Sequence, residues 1–104
     1  MSGETLKIWM DSGKRFRLVD VREQDEWEIC RLAGAELVPL SSWHETWLNV
    51  FNDPEEEMVL YCHHGVRSGN ALKFLIAKGF SKVDHLEGGI DAWARTIDPG
   101  VPTY

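Results

Sequence analysis

The segment spanning residues 58–79 restricts the fold more than any other part of the chain. It opens with a short apolar run, Met58–Tyr61, in which Val59 and Tyr61 favour a strand. It closes with Leu72, Leu75 and Ile76 at helical spacing, Lys73 and Lys78 elsewhere on the wheel, and Gly79 as a stop signal. Between strand and helix stand Cys62, His63, His64, Gly65, Val66, Arg67 and Ser68. A strand that ends on a cysteine, then a tight loop, then a helix, aims loop N–H groups and the positive end of the helix at the loop's centre. That layout favours an anion there and makes Cys62 a candidate nucleophile, with Arg67 as a nearby positive charge. An isolated cysteine is more often a small buried hydrophobe. The position of Cys62 at a strand end, ahead of Gly65, Arg67 and Ser68, favours the reactive role instead.

The bulk properties suit such a site. A chain of 104 residues with 43% hydrophobic and 27% charged content predicts one domain, 1–104, able to bury a core without disulfides or metal. A net charge of −6 argues against a nucleic-acid phosphate backbone as partner. No apolar run approaches the roughly 18 residues of a membrane span, and no signal-like apolar segment lies near Met1. The expectation is a cytoplasmic chain with no membrane partner, monomeric by default. Two cysteines, Cys30 and Cys62, are too few for a secreted disulfide framework. A reducing compartment would keep the thiol free.

Along the chain, residues 5–10 predict a short helix ended by the turn residues Asp11, Ser12, Gly13 and Lys14. Residues 16–21 predict a strand running into Asp20, Val21 and Arg22, and Gln24–Ile29 a short acidic helix with Trp27 and Ile29 on its buried side. Residues 35–40 predict a strand with Pro39 at its end. Ser41 or Ser42 then caps a helix to about Phe51, whose Trp43, Trp47, Leu48 and Phe51 form one apolar face. Asn52, Asp53 and Pro54 break the chain, and Glu55–Glu57 form a solvated turn. Residues 82–86 predict a last strand, Gly88 and Gly89 open a helix carrying Ile90 and Trp93, and 98–104 predict an extended tail over the surface. Strands alternating with helices imply an α/β fold with a parallel sheet covered on both faces.

The run Tyr61, Cys62, His63, His64, Gly65, Val66, Arg67, Ser68 resembles the active-site loop of single-domain rhodaneses, the thiosulfate or persulfide sulfurtransferases. The resemblance covers nearly the whole chain: Asp20-Val21-Arg22-Glu23, Glu26-Trp27, Gly34-Ala35, Val38-Pro39-Leu40 and Leu86-Glu87-Gly88-Gly89-Ile90-Asp91-Ala92-Trp93 match the family's segments in order. It implies a mostly parallel sheet of about four to five strands with helices on both faces, and a short strand before the first helix that residues ahead of Thr5 leave no room for. It also implies that Asp20 and Arg22 lie at the end of the strand beside the cysteine strand and scaffold the site. Cys30-Arg31-Leu32 stands where the family most often has Gly-His-Ile, a departure similar to the rhodanese domains fused to sulfur-carrier-activating enzymes. These 104 residues have no room for an adenylating domain. Cys30 is expected to be buried and inert rather than a resolving thiol.

The chemistry implied is a double displacement. Cys62 takes the outer sulfur of thiosulfate or a persulfide, and a thiol or cyanide acceptor then removes it; a sulfur-relay protein is a possible partner, and no cofactor is required. The loop N–H groups from His63 to Ser68 would stabilise the anionic sulfur, and Arg67 would hold the donor's oxyanion. His63 and His64 would add charge only when protonated, and otherwise form the rim. A phosphatase or arsenate reductase on the same fold needs a loop one residue longer than the four residues between Cys62 and Arg67, and an acid near the cysteine. A non-catalytic interaction module typically lacks the cysteine that this chain keeps. A metal site of Cys62, His63, His64 and His85 is disfavoured because three adjacent ligands converge poorly on one tetrahedral ion.

Overall fold

Period-two alternation divides the core into two layers. In the computed structural model, which describes residues 1–104, β1 (Arg17–Asp20) sends Val19 to one face and Leu18 to the other. Its neighbour β3 (Met58–Tyr61) sends Met58 and Leu60 to the first face and Val59 and Tyr61 to the second. Strands apolar on both faces need cover on both sides. β2 (Ala35–Leu37) and β4 (Val83–His85) flank them, giving the all-parallel order β2-β1-β3-β4 with Val19 opposite Leu60 and Leu60 opposite His85.

The first face packs against α3 (Trp43–Val50) and α4 (Val66–Ala77) through Trp43, Phe51, Ala71 and Leu75. The second packs against α1 (Gly3–Asp11) and α5 (Gly89–Thr96) through Leu6, Ile90 and Trp93. The short α2 (Gln24–Ile29) links β1 to β2. The four-stranded parallel sheet with helices on both faces matches the expected fold class.

Several local expectations are corrected. The strand predicted over 35–40 ends at Leu37, and a single 3₁₀ turn, Leu40–Ser42, follows Pro39. Pro39 has no N–H, while Val38 and Leu40 on either side still donate to the carbonyls of Asp20 and Val21. Neither Ser41 nor Ser42 caps α3 with its side chain, because Ser42 Oγ donates to the Pro39 carbonyl and Ser41 Oγ to Glu23. Ile29 is half exposed rather than buried; a helix of six residues has less than two turns with which to define a face. Trp27 is only partly covered, with the Arg31 guanidinium 4.7 Å above its ring. Ile76 and Leu48 also face solvent, and the buried row of α4 is Ser68, Ala71 and Leu75. No strand precedes α1, but Met1 lies along the outer edge of β4, its amino group 2.6 Å from the His85 carbonyl and its own carbonyl accepting from Glu87 N–H. No helix is long and apolar enough to cross a membrane.

Candidate active site

Cys62 follows directly on β3, at the carboxyl ends of β1 and β3, between which the chain departs toward opposite edges of the sheet. Open α/β sheets form their ligand crevice at such a reversal. Gly65 turns the chain into α4 at φ +106°, a left-handed conformation that a side chain would strain. The turn wraps the loop around the sulfur. Gly65 N–H lies 3.1 Å and Ser68 N–H 3.3 Å from Cys62 Sγ, and the thiol donates to Ser68 Oγ at 3.4 Å. The cysteine is 1% exposed.

The opening of α5 braces the loop from behind. Ile90 and Asp91 donate their N–H groups to the carbonyls of Cys62 and His63 at 2.9 and 3.0 Å. The backbones approach so closely that a Cβ on Gly89, itself at φ +63°, would fall 2.4 Å from the His63 carbonyl oxygen. The two glycines that open α5 are thus part of the site, a role beyond the helix start assigned to them from sequence.

The charged groups are arranged differently from the sequence expectation. Arg67 sits beside the loop, but its two terminal nitrogens bond the Glu26 carboxylate at 2.7 and 2.8 Å. These bonds, with help from Glu23 N–H and the Tyr104 hydroxyl, hold Glu26 down at about 2. The oxyanion holder expected from sequence therefore has a resident carboxylate in this structure. Asp20 and Arg22 are fully buried and paired, Arg22 Nη2 lying 2.7 Å from Asp20 Oδ2. Arg22 also donates to the Cys30 carbonyl and, at 2.8 Å, to the Tyr104 hydroxyl. The pair ties β1 to the segment after α2 and to the last residue of the chain. Cys30 is a free, half-buried thiol beside it.

The tail runs over the surface as expected, and its residue Tyr104 also joins the site. Its hydroxyl donates to Glu26 at 2.9 Å, and its ring stacks on His63 with centroids 3.8 Å apart and planes within 6°. Burial pushes the Tyr104 phenol up to about 12. The ring centroid of His64 lies 3.9 Å from that of His63 and His64 is exposed, whereas Nε2 of His63 is buried without a partner. Burial and the neighbouring His64 lower the His63 pKa below the ordinary imidazole value, so at neutral pH His63 does not supply positive charge. Val66, in the middle of the predicted loop, is the first residue of α4 and points its side chain to solvent.

His63, His64 and Asp91 each bring one ligand-type atom within 4.8 Å of the others. Asp91 is engaged by Arg95 at 3.0 Å and the two imidazoles lie ring against ring, an arrangement of a polar rim. Cys62 and His85 do not join this trio; both meet Ser68. The cavities of the surface lie elsewhere, the largest, about 470 Å³, between α1, α5 and Arg31–Ala33. Of the residues around the sulfur, sequence reasoning missed Tyr104, the carboxylate of Glu26 and the role of His85, which had entered only as a metal ligand.

A thiol seated among backbone N–H groups at the start of a helix, on the carboxyl edge of a parallel sheet, defines a class of loop-cradled cysteine proteins. The chain belongs to the rhodanese family: the rhodanese-like domain matches residues 2–96. It is 40% identical over 99 residues to the probable adenylyltransferase/sulfurtransferase MoeZ of Mycobacterium tuberculosis, a match that covers 95% of this chain and 25% of that protein. The chain thus spans about a quarter of the length of that relative. Among solved structures it resembles a rhodanese-like domain protein from Staphylococcus aureus, with TM-score 0.82 and 29% identity over 100% of this chain and 96% of the other. A rhodanese-related protein from Thermoplasma volcanium gives TM-score 0.82 at 26% identity, covering 100% and 97% of the two chains.

Proposed function

We propose that this protein is a sulfurtransferase that carries sulfane sulfur as a persulfide on Cys62. The observation that carries the reading is the convergence of Gly65 N–H, Ser68 N–H and Ser68 Oγ on one buried sulfur. The two N–H groups stabilise negative charge on sulfur both before and after it gains a second sulfur atom, and the Ser68 hydroxyl, which accepts from the thiol, can turn to donate to a thiolate. The thiolate attacks the outer sulfur of thiosulfate or of a persulfide donor. A sulfur–sulfur bond forms at Cys62 as the donor's bond breaks, and sulfite or a thiolate leaves. An acceptor thiolate or cyanide then takes the terminal sulfur and regenerates Cys62.

The loop closes tightly on the buried sulfur, and no cavity of the surface includes Cys62. Both features suit a sulfur atom delivered by a small anion or by a partner's cysteine. Family membership supports the same reading, and the name of the mycobacterial relative includes sulfurtransferase activity. Arg67 would meet an anionic donor by exchanging Glu26 for it. The adenylyl-transfer half of that relative's name is not carried over.

Intact mass before and after incubation with thiosulfate, and then with cyanide, tests the proposal. A gain of about 32 Da on Cys62 that cyanide removes is the expected result. No gain from thiosulfate, glutathione persulfide or a persulfidated protein donor overturns it.

A further inference from the structure

The sulfur of Cys62 has a second connection that the persulfide scheme does not use. Behind the loop, Ser68 Oγ is fully buried, accepts from the Cys62 thiol at 3.4 Å and lies 2.9 Å from Nδ1 of His85. His85 ends β4, one strand across from Cys62, with its ring against α4: a Cβ on Gly69 would lie 3.4 Å from His85 Cε1. With its own proton on Nε2, His85 accepts at Nδ1 from the Ser68 hydroxyl, whose other acceptor within reach, the Gly65 carbonyl, is farther away at 3.3 Å. The three groups then form a continuous chain, S–H to O–H to N.

We propose that Ser68 and His85 form a proton relay for Cys62, with His85 the positioning residue that stores the thiol proton between the two halves of sulfur transfer. The inference deepens the sulfurtransferase reading and rests on it. In the first half, Cys62 S–H passes its proton to Ser68 Oγ while the Ser68 hydroxyl proton passes to His85 Nδ1. The thiolate electron pair forms the bond to the donor's outer sulfur, and sulfite leaves with the electrons of the broken bond. The products are an anionic persulfide, Cys62–S–S⁻, and a His85 imidazolium. In the second half, cyanide or an acceptor thiolate takes the terminal sulfur. The bonding pair returns to Cys62 Sγ, and the proton returns from His85 through Ser68. No proton is lost to solvent in either half, and the stored positive charge opposes the persulfide's negative one.

The surroundings of His85 suit this role. The Met1 amino group, Asp84 and Glu87 surround it from its own strand and the adjoining termini, and Ser68 and Gly69 face it from α4. Burial, with the Met1 amino group, keeps its pKa below the ordinary imidazole value against the pull of Asp84 and Glu87. The lowered pKa favours the free base, and in the tautomer with its proton on Nε2 the ring leaves Nδ1 to accept from Ser68. In the fully buried Ser68, a hydroxyl both accepts and donates, which a backbone N–H cannot do.

The test compares wild type, His85→Gln and Ser68→Ala over a pH series. Two readouts are used: the rate of Cys62 alkylation by iodoacetamide, and the single-turnover rate of sulfur loading from thiosulfate. Gln keeps a hydrogen bond to Ser68 without titrating, and Ala keeps the buried volume at 68 while cutting the relay. In wild type, the relay predicts an alkylation rate nearly independent of pH across neutrality. In both variants the rate should fall by about 100-fold at neutral pH, the low end for general acid–base assistance, rise with pH and rejoin wild type in alkali. Superimposable profiles in wild type and either folded variant overturn the relay. The two readouts separate the hypotheses. Altered alkylation profiles with no sulfur loading of any protein from thiosulfate, glutathione persulfide or a persulfidated protein donor keep the proton path from Cys62 to His85 but remove the sulfurtransferase reading, and with it the storage role between two halves of sulfur transfer. Sulfur loading with unaltered profiles does the reverse.

Discussion

At the scale of single residues, the site depends on two places where only glycine fits. Gly65 turns the chain into α4 around the sulfur, and Gly89 lets the start of α5 lie against the carbonyls of Cys62 and His63. Gly89→Ala would put a Cβ 2.4 Å from the His63 carbonyl oxygen at φ +63°. The left-handed conformation alone costs an alanine about 1–2 kcal/mol, and the backbone collision adds to that. Gly13, at φ +75° with nothing within 4 Å of its Cβ position, is the control. Thermal melts should show Gly89→Ala losing clearly more stability than Gly13→Ala. Cys62 alkylation should change only in the former, because only there does the loop move.

At the scale of elements, α2, α4 and the chain's last residue meet through one carboxylate. Glu26 accepts from both terminal nitrogens of Arg67 and from the Tyr104 hydroxyl, which in turn accepts from Arg22. Its folded-state pKa of about 2 lies below the 4.5 it has without partners. The carboxylate therefore stabilises the fold fully above about pH 4.5, and that contribution disappears as pH falls toward 2. Glu26→Gln should be less stable than wild type at neutral pH, and the gap should close through this acid window. A constant gap between the two stability curves down to the bottom of that window would show that the carboxylate's charge is not what matters.

At the scale of the whole molecule, the sheet joins two hydrophobic layers into one core. Leu60, fully buried in β3, packs in the layer under α3 and α4. Leu60→Ala should cost about 2–5 kcal/mol, with the melting temperature falling by roughly 10 °C or more. Leu48, 67% exposed on α3 although it lies on the apolar face predicted from sequence, should tolerate alanine within about 0.5 kcal/mol. Calorimetry on the two variants checks both. A large loss at Leu48 would mean that its face is covered in solution.

Much of this architecture was legible from sequence because it is local. The short apolar run Met58–Tyr61, the cysteine at its end and the helical spacing that follows are set by neighbours along the chain, and they make the strand, loop and helix legible. The weaker faces failed for a related reason. The six-residue helix that ends at Ile29 carries too few apolar positions to define a face, and in α4 the adjacent Leu75 and Ile76 cannot both point at the sheet, so Leu75 is buried and Ile76 is exposed. Only the tertiary structure decided the partners of the site. Arg67 and Glu26 are 41 residues apart, Tyr104 and Glu26 are 78 apart, and Ser68 and His85 are 17 apart. No periodicity links residues at such separations. Their pairing follows from where strands and helices stack and which way each side chain then points, so the candidate nucleophile is visible in the sequence and its electrostatic setting is visible only in the fold.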